Sequence, residues 1–142
     1  MTLRSVIDTN VLVSALIQPK GIPASLMDGV ALRGLTLYVS EEILAEYREV
    51  LSRPKFARIT PAHASRLFDL IATEAVMIAP KRQATAAVHE PDNRFLECAE
   101  AADAAYLITG NARHFPERYG NTKIATPRQF WDVIKGSSPG KK

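Results

Sequence analysis

Three acidic residues stand where a carboxylate has more than one use. Asp8 directly follows the apolar pair Val6-Ile7 and precedes Thr9-Asn10 and a further apolar run. There an acidic side chain either caps the coming helix or serves as a ligand for something positive, and Thr9 and Asn10 are equally able caps. Glu46 lies three residues after Ile43 and four before Val50, against the buried stripe of a predicted helix. No lysine or arginine stands three or four residues on to pair with it, whereas Glu49 has Arg53 at that spacing. Asp92 follows Pro91 at a predicted helix start, where capping and ligand roles are compatible. Were the three to converge, each pair about 4 Å apart would repel by roughly 4 kcal/mol at an effective dielectric of about 20. The total, on the order of 10 kcal/mol, rivals the stability of a whole domain. Such a cluster persists only by protonating or by holding a cation. Hard oxygen ligands, with no histidine or cysteine among them, select Mg²⁺ or Mn²⁺ over zinc.

The elements that must position these side chains alternate along the chain. Residues 3–7 read as a strand running into a helix over 11–17. After the breakers Pro19, Gly21 and Pro23, a second helix is expected over 24–32 and a strand over 35–39. Ser40 offers an N-cap, with Glu41 and Glu42 in the first turn where the helix dipole favours negative charge. The helix it opens carries Ile43, Leu44, Tyr47, Val50 and Leu51 on one face and ends before Pro54. A helix over 61–73, with Leu67, Phe68 and Ile71 inward, precedes a strand over 75–79. A helix from Asp92 to about Asp103 leads to a strand over 105–109, whose near-continuous apolar run suits burial on both faces. A last strand over 122–125 enters Thr126-Pro127-Arg128-Gln129, a capping box with proline at the first helical position, and Gly136 can end that helix. This order predicts an α/β fold, a three-layer α/β/α sandwich around a parallel sheet of four to five strands. In such sheets ligands bind outside the carboxyl ends of the strands, where Asp8 and Asn111 both fall.

A chain of 142 residues, 46% hydrophobic, supports one domain, expected over 1–136, with a disordered basic tail over 137–142. No apolar run has the roughly 18 residues of a membrane span, and no signal-peptide pattern opens the chain. A soluble, cytoplasmic protein is expected. The net charge of +3 favours polyanionic partners only weakly, because part of it lies in that tail. The single cysteine, Cys98, reads as a small buried apolar residue. No Gly-x-Gly-x-x-Gly follows the first strand, which sets nicotinamide cofactors aside.

Four blocks resemble the PIN domain, the nuclease fold of VapC-type toxins: Val6-Ile7-Asp8-Thr9-Asn10-Val11, Glu46 within 41–47, Asp92-Asn93-Arg94-Phe95-Leu96-Glu97, and Leu107-Ile108-Thr109-Gly110-Asn111. They fall in the family's order and span nearly the whole chain. The Thr-Gly-Asn block, followed by His114-Phe115-Pro116, is similar to the branch described as toxin components of toxin–antitoxin pairs. The resemblance implies that Asp8, Glu46 and Asp92 are metal ligands and that Asn111 takes the place of a fourth acidic residue, offering a neutral oxygen. One divalent ion at rest is then expected. Asp103 and Glu97 are fallback ligands, Asp103 also ending its helix.

The implied reaction is Mg²⁺- or Mn²⁺-dependent hydrolysis of RNA, leaving a 5′-phosphate and a 3′-hydroxyl. Thr9, Asn10 and Thr109 support the carboxylates or the attacking water, and Arg94 and Arg113 are candidate phosphate contacts. Arg48, Arg53, Lys55 and Arg58 form either an RNA track or a solvated helix face. His63, His89 and His114 lack metal-ligand spacing and receive no role. The resemblance further implies a homodimer silenced by a small antitoxin. Two other readings stand beside it. One is a PIN domain that binds RNA or protein without cutting. The other is a haloacid dehalogenase-like phosphatase, which needs a second aspartate where Asn10 stands.

Overall fold

The hydrophobic pattern resolves into a single six-stranded sheet between helices. A computed structural model describes residues 3–56 and 58–136. The elements are β1 (Leu3–Ile7), α1 (Thr9–Ile17), α2 (Ile22–Ala31), β2 (Leu35–Val39), α3 (Glu41–Leu51), α4 (Pro61–Glu74), β3 (Val76–Met77), α5 (Asn93–Ala102), β4 (Tyr106–Ile108), β5 (Arg118–Tyr119), β6 (Thr122–Ala125) and α6 (Pro127–Gly136). Short 3-10 turns occupy Pro54–Phe56, Glu90–Asp92 and Ala112–His114. The expected tail lies outside the described residues.

The sheet order is β3-β2-β1-β4-β6-β5, parallel throughout except for the β5–β6 pair. That antiparallel edge, closed through Gly120 at φ 58, is an element that sequence patterning does not anticipate. Its strand is two residues long and mostly exposed, so it carries no hydrophobic alternation to read. β1 is central, pairing with β2 on one side and β4 on the other. Val6 and Ile7 on β1, and Leu107 and Ile108 on β4, are fully buried. Consecutive residues of a strand point to opposite faces, so both faces of the sheet are covered, which is the three-layer arrangement. α5 packs on β1, β2 and β4, and α2 packs on β2 and on α1, α4 and α6.

Several local expectations hold for the reasons given. Ser40 accepts from the Ile43 N–H at 3.2 Å. Thr126 and Gln129 exchange their capping-box bonds at 2.9 and 3.1 Å. Asp103 ends α5 in the left-handed region, at φ 50. Cys98 is buried, which pushes its thiol up to about 12 and leaves it unreactive.

Three expectations are corrected. α2 begins at Ile22 with Pro23 inside its first turn, where proline is compatible with a helix start, so Pro23 is no breaker there. β3 shrinks from 75–79 to two residues, because Ile78 makes the last backbone bond to β2 and the chain then leaves the edge. Asp92 has helical backbone angles, closes a 3-10 turn and makes no side-chain cap bond, so of the two roles its position left open the capping one is absent.

Candidate active site

The chain departs from β1 in opposite directions: β2 and β3 extend the sheet one way, β4, β6 and β5 the other. The crevice between the carboxyl ends of β1 and β4 is therefore a topological switch point, the place where open parallel sheets bind ligands. Asp8 emerges there, its N–H donating to the Ile108 carbonyl at 2.9 Å. At the helix start only its backbone serves α1, the carbonyl accepting from the Val11 N–H at 3.0 Å, while its side chain caps nothing. That frees the carboxylate for the crevice.

Asp8 is 6% exposed. Its Oδ2 accepts from the Thr109 hydroxyl at 2.7 Å and, more weakly, from the Asn10 Nδ2 at 3.4 Å. Thr109 is held in turn by the Asn111 N–H, which donates to its hydroxyl at 3.0 Å. The Asn10 Oδ1 accepts from the Gly110 N–H at 3.1 Å. A Cβ on Gly110 would press this same oxygen at 3.3 Å, so the close approach of the two loops favours glycine. Burial raises the Asp8 carboxyl to about 6; the Thr109 bond opposes the shift, and the negative charges of Asp92 and Glu46 add to it.

Glu46 arrives from α3, whose rotation is set by its neighbour. Tyr47 is fully buried and donates its hydroxyl to the Ile7 carbonyl at 2.6 Å, tying α3 to the last residue of β1. That bond presents Glu46 on the crevice side, where the Thr9 hydroxyl donates to its Oε2. Asp8, Thr9, Asn10 and Glu46 thus line one cleft of about 350 Å³, together with Arg53, Lys55 and Phe56.

The remaining candidates are placed differently. Asp92 lies within electrostatic reach of Asp8 but does not line that cleft. Its Oδ2 is 4.0 Å from the His114 Nδ1, and the rings of His89 and His114 meet edge to face at 4.5 Å. Burial raises the Asp92 carboxyl, against the lowering influence of the two histidines. Asn111 and Arg113 line a second cleft of about 520 Å³ with His114 and Thr126. Arg94 donates to Glu90 at 2.8 Å and to Glu97 at 3.0 Å, facing Lys81 and Arg82 across a third cleft. Glu97 turns to the loop before α5, accepting from the Ala84 N–H at 3.0 Å. Asp103 accepts from the Asn121 amide at 3.3 Å.

Sequence reasoning missed Tyr47 as the residue that orients Glu46, and it missed the pairing of His89 and His114 beside Asp92. The histidines are 25 positions apart in the chain and only tertiary packing joins them, whereas Tyr47 could have been suspected as a hydroxyl on a fully buried face.

The donor set around Asp8 is all oxygen and negatively charged, which fits a hard divalent cation. No three His, Cys, Asp or Glu side chains among the described residues stand together at ligand spacing. Mg²⁺ is compatible with this, since it commonly keeps several waters and takes only one or two carboxylates directly.

A family model described as PIN domain matches residues 4–113. An uncharacterized protein of Methanocaldococcus jannaschii, MJ1680, is 29% identical over 140 residues, covering 90% of this chain and 89% of its own. Among solved structures, VapBC2 from Rickettsia felis, bound to a DNA fragment from its promoter, superposes with a TM-score of 0.60. The match has 16% identity and covers 87% of this chain and 98% of that one. No helix among the described residues is long and apolar enough to cross a membrane.

Proposed function

This chain belongs to the PIN domain family, and from that premise we propose that it is a divalent-metal-dependent endoribonuclease. PIN domains are in general nucleases. The observation that carries the reading is Asp8: a buried carboxylate with no capping duty, at the switch point of the sheet, sharing its cleft with Glu46 and feeling the charge of Asp92.

Asp8 and Glu46 would hold Mg²⁺ or Mn²⁺, with Asp92 adding negative charge beside them. When bound, the ion supplies a more acidic water and neutralises charge on the scissile phosphate. The chain's own residues do the positioning. Thr109 and Asn10 fix the Asp8 carboxylate, Thr9 fixes that of Glu46, and Tyr47 fixes the helix beneath it. Asn111 would offer a neutral oxygen, and Arg113, which lines the second cleft with it, would contact a neighbouring phosphate. Hydrolysis with a 5′-phosphate as product is the reading for the reaction, and the choice of RNA over DNA rests on the family.

The fold shared with the Rickettsia felis VapBC2 complex supports a toxin of a toxin–antitoxin pair. On that reading it acts in the cytoplasm as a homodimer, silenced by a small antitoxin protein. The neutral Asn111 and the lack of a three-carboxylate cage among the described residues favour one second reading, a PIN domain that binds RNA without cutting it.

Incubation with end-labelled RNA separates the two. Cleavage that requires Mn²⁺ or Mg²⁺, stops with EDTA and falls by about two orders of magnitude or more in Asp8→Asn supports the nuclease, on the scale of losing a group that holds a catalytic metal. Binding with no metal-dependent cleavage at any protein concentration would mean the binding module instead.

A further inference from the structure

Four cations that the sequence groups together separate in the structure. The Arg48 guanidinium lies 5.8 Å from the Phe68 ring centre. Arg53 gives two bonds to Glu49, at 3.0 and 2.7 Å, so its charge is already answered although it borders the acidic cleft. Arg58 lines a different cleft, with Ile17 and His63. Lys55 alone of the four both lines the cleft of Asp8 and Glu46 and has no carboxylate within ion-pair distance among the described residues.

Lys55 shares its 3-10 turn, Pro54–Phe56, with an aromatic residue that lines the same cleft. Its ammonium stands 5.1 Å from the Phe56 ring centre. An exposed cation next to a half-buried ring is the pairing that holds a nucleotide, the ring stacking on a base while the charge meets a phosphate. Two carboxylates repel a polyanion, and a lysine that no carboxylate pairs in their cleft offsets that repulsion where the strand must pass. The ring can accept only a base that is free of its own stack, which selects single strands over duplexes.

We propose that Lys55 and Phe56 form a nucleotide-holding subsite of the acidic cleft, in which Phe56 stacks on an unpaired base of single-stranded RNA and Lys55 binds that strand's phosphate. The subsite rests on the nuclease reading above and adds to it the two residues that hold the strand.

The test is binding in the Asp8→Asn protein, measured by fluorescence anisotropy with a short labelled RNA of mixed sequence, single-stranded or annealed to its complement. Phe56→Leu keeps the apolar volume and removes the aromatic face. It should weaken single-strand binding roughly tenfold, leave duplex binding unchanged, and be rescued by Phe56→Tyr. Lys55→Met, at an exposed position, should reduce the slope of log affinity against log salt by about 0.7 on the single strand. If both variants bind single strands like the parent while the wild-type protein cleaves RNA, the subsite is overturned and the nuclease reading stands. If the parent binds and both variants weaken it as described, but the wild-type protein does not cleave, the subsite stands and the nuclease reading fails. If the Asp8→Asn parent does not bind RNA and the wild-type protein does not cleave it, both are overturned.

Discussion

Asp8 is the group on which the proposed chemistry turns. Its carboxyl is held at about 6 against an ordinary 3.8, because burial and the charges of Asp92 and Glu46 disfavour its ionised form more than the Thr109 bond favours it. The folded protein therefore binds the Asp8 proton more tightly than the unfolded chain does. The stability this contributes is fully present below about pH 3.8 and is lost as pH rises through about 6. A rise of that size is equivalent to about 3 kcal/mol, and at 6% exposure little of it is screened. In EDTA, urea unfolding of the wild-type protein should lose about that much relative to Asp8→Asn between about pH 4 and pH 8. An unchanged difference across that range would mean that Asp8 ionises freely. The same residue shows why the site was only half legible in sequence. Position alone left capping and ligand roles open for Asp8, and the backbone removes the first by satisfying the helix without its side chain.

At the scale of elements, α5 and α3 do the positioning. Glu97, on α5, is 7% exposed and holds both the Ala84 N–H and the Arg94 guanidinium. One turn earlier, Asn93 accepts from the Ala87 N–H at 3.0 Å, and the Val88 N–H donates to the His114 carbonyl at 2.8 Å. Together these bonds fasten residues 78–89, which contain no helix or strand, and so fix where Asp92 and its histidines lie. Glu97→Ala should cost about 2–3 kcal/mol in urea unfolding, because it leaves a buried N–H without an acceptor and an arginine short of a partner. Glu97→Gln keeps an oxygen for Ala84 and should cost about 1 kcal/mol. Equal losses in the two variants would show that the charge, not the bond to the loop, is what matters. In sequence Glu97 reads as a spare ligand, because an acidic residue in a motif block suggests chemistry; its partner, a backbone N–H 13 residues away, leaves no mark in composition or period.

Across the whole molecule, the sheet gathers negative charge at one rim and the rest of the fold bears the cost. A divalent ion that binds the folded chain and not the unfolded one adds about 2.7 kcal/mol at about a hundred times its Kd. In a domain of this size that is a rise in Tm on the order of 8 °C. Thermal scans at about pH 8 should therefore show wild-type protein stabilised by Mn²⁺ over EDTA, and Asp8→Asn indifferent to it. The same scans at about pH 4, where Asp8 is protonated, should show little response. A wild-type protein equally stable with and without Mn²⁺ at the higher pH would remove the metal from the proposal without reference to any activity.

The order of elements, the parallel sheet, the caps of α3 and α6 and the burial of Cys98 are determined within short stretches of chain, by period, caps and breakers, and so were open to reading from sequence. The edge strand β5 and the two-residue β3 were decided by where the chain meets the sheet, and Asp92 makes no cap bond in the 3-10 turn that it closes. The convergence of Asp8 with Glu46 depends on a hydroxyl of Tyr47 reaching a carbonyl 40 residues back, and the parting of four neighbouring cations depends on which partners packing brings to each. Local free energies are written in local sequence. Which distant groups share a cleft is set by the packing of whole elements, and only the folded chain expresses that.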